Sequence, residues 1–123
     1  MSDMSAQVRR ALDVAVEAIG GSARDGQIEM AEAVANALTN RHHLMVQAGT
    51  GTGKSLAYLI PGIVHGRKVL VATATLALQR QLVDRDLPAV VPALEKELGR
   101  EISYAIYKGV GNYVCLQKMN SED

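Results

Sequence analysis

The 123-residue chain has one cysteine, three prolines and no net charge. One cysteine cannot close an internal disulfide, which points to an intracellular, cytoplasmic protein. The 13 basic and 13 acidic side chains balance within each half as well as overall. Residues 1–61 hold five basic and six acidic groups, net −1; residues 62–123 hold eight and seven, net +1. This excludes a broad basic face that binds polyanions by counterion release, so any nucleic-acid contact must come from a few placed groups. No apolar run is long enough to span a bilayer, and "MSDMSAQVRRALD" carries charges where a signal peptide would have an apolar core. No membrane partner is expected. Internal repeats, linkers and low-complexity segments are also missing.

What is present is a core-forming composition, 48% hydrophobic, which argues against disorder and suits one domain or a piece of a larger one. Over residues 5–19, Val8, Leu12, Ala15, Val16 and Ile19 fall on one helical stripe, closed by Gly20-Gly21. "GQIEMAEAVANALTN" repeats the pattern with Ile28, Ala31, Val34, Ala35 and Leu38. "HLMVQ" reads as a short buried strand, followed by a glycine-rich loop and the helix "KSLAYLIPGIV", which Pro61 and Gly62 are expected to kink or end. "KVLVAT", residues 68–73, reads as a second strand and "LALQRQLVDRDL" as a helix running toward Pro88. Pro92 opens another short helix, "ISYAIY" reads as a third strand, and "NYVCLQKM" begins one more helix capped by Asn112. Strands alternating with helices predict an α/β fold with a parallel sheet covered on both faces. Three strands are few for such a sheet, so the pattern reads as the N-terminal part of something larger.

"QAGTGTGKS", residues 47–55, lies between a predicted strand and a predicted helix, the context a phosphate-binding loop requires. Gly49, Gly51 and Gly53 open backbone conformations closed to other residues. With Ala48, Thr50 and Thr52 they can turn N–H groups inward around phosphate oxygens, helped by the helix N-terminus. Lys54 supplies a positive charge for the outer phosphates and Ser55 a hydroxyl for Mg²⁺. These two residues are the candidate catalytic pair. About twenty residues upstream, "RDGQ" offers Gln27, whose amide can both accept from the exocyclic amine of adenine and donate to its ring N7. Arg24 is placed to stack on the base or to cap the following helix. Downstream, "TATLALQRQL" puts Thr73 and Thr75 where a strand gives way to a helix, suited to a sugar–phosphate backbone. Thr75 as a plain helix cap is compatible with that role.

These segments, in this order, resemble the DinG/XPD-like iron–sulfur DNA helicases of superfamily 2, most closely the bacterial DinG type, over residues 24–116. Ala48 opens the A-x-x-G-x-G-K-[ST] form of the loop, where the general pattern has glycine. "RDGQ" resembles the Q motif, with Gly26 where proline is common. Thr73, Thr75, Leu78 and Gln81 resemble motif Ia. "KGVGNYVC" resembles "KGRxNYLC", with Val110 and Val114 as departures. The resemblance implies a P-loop RecA-like domain and ATP with Mg²⁺ as cofactors. It makes Cys115 the first of four thiolates on a [4Fe–4S] cluster, in keeping with the soft ligands such clusters take. It also implies 5′-to-3′ unwinding of single-stranded or forked DNA in repair or replication, by a monomer. The expected organisation is an N-terminal helix at 1–22, the first part of RecA-like helicase domain 1 at 23–109, and the start of an iron–sulfur insertion at 110–123.

Hydrolysis also needs an acidic residue at the end of another strand, to hold Mg²⁺. "KVLVAT" ends in Thr73, "ISYAIY" runs into Lys108, and no "DEAH"-like sequence occurs. The chain by itself is therefore expected to bind nucleotide with little or no turnover, and its Cys115 lacks three partners for a cluster. The alternatives are a small P-loop NTPase of another kind and a non-enzymatic nucleotide-binding module.

Overall fold

The computed structural model describes residues 2–49 and 53–109. Helix α1 (Ser2–Ala18) leads into α2 (Asp25–Asn40) and α3 (Lys54–His65), and a last helical run covers residues 76–98. That run consists of α4 (Leu76–Arg80), a π-helical stretch (Gln81–Asp86) and α5 (Leu87–Leu98).

The core is built on α1, which packs against α2, α3 and α5. Its stripe of Val8, Ala11, Leu12 and Ala15 is fully buried, as the spacing requires. Asp3 in its first turn suits the positive end of the helix dipole. Ile19, expected on the same stripe, is instead exposed. The helix has already ended: the N–H groups of Gly20 and Gly21 bond back to Glu17 and Val16, with Gly20 at φ 83°, and the stripe stops with the helical period. Ala31, Ala35 and Ala37 are the buried apolar residues of α2, and the small size of Ala31 and Ala35, which join the core, brings α2 close to α3. Val34 and Leu38 turn instead to a groove of about 390 Å³ shared with Leu44, Val46 and Tyr58. One cluster unites Leu12, Ala31, Ala35, Leu56, Ile60, Val90 and Leu94, so residues 2–18 share the core of the segments that follow.

The prolines do not break helices where the sequence suggested they would. Helix α3 continues through Pro61 to His65, and Pro61 and Gly62 are buried. A Cβ at Gly62 would approach Val69 Cγ2 to 2.9 Å, so the glycine lets segment 68–73 lie against the helix. The two helices expected around Pro88 and Pro92 form one run. The Leu87 N–H bonds to Leu82 O, five residues back, just before Pro88. This wider turn sits where Pro88 has no N–H to give and its ring would crowd the preceding carbonyls.

The expected parallel sheet is the larger correction. Among the described residues no strand is formed. Residues 43–49, 68–73 and 101–107 follow the helices as irregular segments, with Met45 97%, Leu70 91% and Tyr107 89% exposed. A strand's hydrogen bonds all go to its neighbours, so apolar character alone cannot produce one. Segments 67–76 and 100–109 flank a cavity of about 1050 Å³ rather than pairing across it. Ile102 anchors the second of these segments. Its N–H donates to Glu95 Oε2 at 3.0 Å, and its side chain packs on the core. The helix expected from Asn112 lies outside the described residues.

Candidate functional site

The glycine-rich loop meets α3 at Gly53, which caps the helix with φ 71° and ψ 38°. That left-handed conformation is open to glycine at little cost. No side chain caps α3 and its first turn carries no acidic residue, leaving the positive end of its dipole uncompensated by a carboxylate. Lys54 is exposed, and its Nζ donates to Ala48 O at 3.3 Å, drawing the two ends of the loop together. Ser55 is half-buried in the first turn of α3, and Gly49 is exposed. Thr50, Gly51 and Thr52 lie outside the described residues.

Gln27, in the first turn of α2, meets this loop. Its Nε2 donates to Gly53 O at 3.1 Å across 26 residues of sequence, and it is one of two buried polar side chains among the described residues. A Cβ on Gly53 would run into Gln27 Nε2, so this position is closed to a side chain by space as well as by backbone conformation. Arg24 is exposed at the N-cap position of α2, where its side chain makes no capping bond; of its two expected roles the structure leaves the cap unfilled. The structure thus brings Gln27, Ala48, Gly53, Lys54 and Ser55 to one end of the α2–α3 pair, with Arg24 close in sequence. An anion-attracting helix end, a lysine and a glycine whose Cβ space is occupied fit a polyphosphate group with an associated cation at Ser55.

Thr73 and Thr75 stand apart, before α4. Thr73 Oγ1 donates to Thr75 O at 2.9 Å, and Thr75 Oγ1 accepts from Leu78 N at 3.3 Å. Thr75 is therefore the cap of its helix, on an exposed turn. Gln81 Nε2 donates to Asp86 Oδ2 at 3.4 Å inside the π-helical stretch. Asp86, the other buried polar residue, was invisible in the sequence because nothing in a helical pattern foretells a π turn. Arg100 was missed as well. Its Nη2 donates to the carbonyls of Ile63 and, at 3.4 Å, Val64, tying the turn after α5 to the end of α3. Cys115 lies outside the described residues. Among those described, no three His, Cys, Asp or Glu side chains gather to hold a metal, and no helix is long and apolar enough to cross a membrane.

The chain is 53% identical over 122 residues to the ATP-dependent helicase DinG of Mycobacterium tuberculosis, covering 96% of this chain and 18% of that protein. It is 44% identical over 103 residues to the ATP-dependent DNA helicase YoaA of Escherichia coli, covering 84% and 16%. It is also 37% identical over 103 residues to the 3′-5′ exonuclease DinG of Bacillus subtilis, covering 80% and 11%. The chain thus spans under a fifth of the length of these relatives. No solved structure is significantly similar to it. Residues 28–109 match the DEAD/DEAH box helicase model, two thirds of the chain and all of the α2–α3 site beyond Gln27; the chain belongs to the DEAD/DEAH box helicase family.

Proposed function

We propose that this chain is the ATP-binding part of an ATP-dependent DNA helicase of the DinG type. The observation that carries the reading is the meeting of left-handed Gly53, Lys54 and the uncapped end of α3 beside Gln27, in a chain of this family. Residues 23–109 supply the first part of a RecA-like domain, and residues 1–22 its leading helix. Residues 110–123 begin an iron–sulfur insertion.

In this reading Ala48 to Gly53, with Gly49, Thr50, Gly51 and Thr52, enclose the phosphates of ATP. Lys54 neutralises the outer phosphates and Ser55 gives its hydroxyl to Mg²⁺. Gln27 reads the adenine edge and Arg24 stacks on the base. Thr73 and Thr75 meet the backbone of single-stranded or forked DNA through the exposed turn they form. In a longer polypeptide Cys115 takes one corner of a [4Fe–4S] cluster, and the motor runs 5′ to 3′ as a cytoplasmic monomer serving repair or replication. Segments 68–73 and 101–109 carry no acid at their C-terminal ends, which favours binding without turnover for the 123 residues alone.

Titration calorimetry with Mg-ATP tests the core of the proposal. The chain binds ATP, and Lys54→Ala weakens binding by about 10- to 100-fold, the worth of charge-assisted hydrogen bonds. Equal affinity in the variant removes the phosphate-loop assignment. For the cluster, Cys115→Ser in a longer polypeptide carrying the chain lowers bound iron; unchanged iron content refutes it.

A further inference from the structure

We infer that Gln27 is a positioning residue for the phosphate loop, acting through the Gly53 carbonyl and independently of the base. The inference rests on the phosphate-loop reading above and assigns Gln27 a task beyond adenine. Gln27 is 6% exposed. A buried amide keeps its hydrogen bonds because an unpaired one is costly. Its described bond is to backbone, Nε2 to Gly53 O at 3.1 Å. The same carbonyl also accepts the opening bond of α3, from Ala57 N, at a longer 3.4 Å. Of the two donors on this oxygen, Gln27 is the closer.

The consequence follows from where Gly53 sits. Its left-handed turn sets the direction in which the first N–H groups of α3 leave the loop. Lys54, the next residue, ties back to Ala48. Fixing the Gly53 carbonyl therefore fixes the peptide that aims both the helix end and the lysine. The amide has a second N–H and an oxygen left for adenine, so the two tasks are compatible. They differ in signature: a base reader matters only to ligands with a base, whereas a loop positioner matters to any polyphosphate.

The test compares ATP with inorganic tripolyphosphate, each with Mg²⁺, on the 123-residue chain and its Gln27→Ala variant, by titration calorimetry. Both ligands are expected to lose affinity, tripolyphosphate by about threefold to tenfold, the range for one net hydrogen bond. ATP loses at least as much. A loss confined to ATP, with tripolyphosphate unchanged, overturns the inference and leaves Gln27 a base reader. Wild-type chain that binds ATP but not tripolyphosphate overturns it too, since the loop then does not hold phosphates by itself. Wild-type chain that binds neither removes the phosphate-loop reading along with it. Circular dichroism checks that the variant folds. Should Gln27→Ala fail to fold, Gln27→Met keeps side-chain length, removes the donors and is held to the same outcomes.

Discussion

Two regions of this molecule have similar apolar character and opposite fates. In α1, Val8, Ala11, Leu12 and Ala15 are wholly buried. In segments 43–49, 68–73 and 101–107, Met45, Leu70 and Tyr107 stand almost fully exposed. Hydrophobicity does not separate them; the source of their hydrogen bonds does. A helix satisfies its backbone within itself, so an amphipathic stripe is free to seek a core. An apolar run without helical period must find a strand partner elsewhere, and among the described residues none has one. The proposed nucleotide site sits on the self-sufficient side of this divide. Its helices α2 and α3 pack on each other and on α1.

Hydrogen exchange probes this contrast most directly. Amides in the middle of α1 and α3 are expected to exchange slower than those of 68–73 and 101–107 by at least about two orders of magnitude. Equal protection would mean that the extended segments are paired after all. Core truncation comes next in size. Leu12→Ala is expected to lower unfolding free energy by about 2–5 kcal/mol in urea titrations, and Leu70→Ala to change it by less than about 0.5 kcal/mol. A Leu70→Ala loss as large as that of Leu12→Ala would show the exposed segment to be part of the core. The smallest effect with a specific cause is at Thr75. Removing its cap in Thr75→Ala costs about 1 kcal/mol, read as a lowered midpoint of thermal unfolding. No shift there would mean that the Thr75–Leu78 bond contributes nothing and that the hydroxyl is held for another partner.

The helix start after the glycine-rich loop was legible because its signal is local: Gly53, Lys54 and Ser55 are consecutive, and α3 begins there. Helices α1 and α2 were legible for the same reason, through their stripes. Less legible was Gln27. Its residue type suggested a base reader, whereas its observed partner is a backbone carbonyl 26 residues away. Pro61 was read as a kink or end, Pro88 as the end of one helix and Pro92 as the start of the next, yet α3 runs on through a buried Pro61 and one helical run passes Pro88 and Pro92 by way of the π turn. The strands were misread because an apolar run states that a segment wants to be covered and leaves open what covers it.

By itself, then, the order of amino acids determined the helical periods, the place of the glycine-lysine loop and the family to which the chain belongs. These depend on contacts a few residues apart. Only the tertiary structure decided that α1 lies at the centre of the core, that Arg100 ties the turn after α5 to α3, and that Gln27 closes on Gly53. Each of those brings together groups distant along the chain, and which of many distant groups meet is settled by packing the whole core at once.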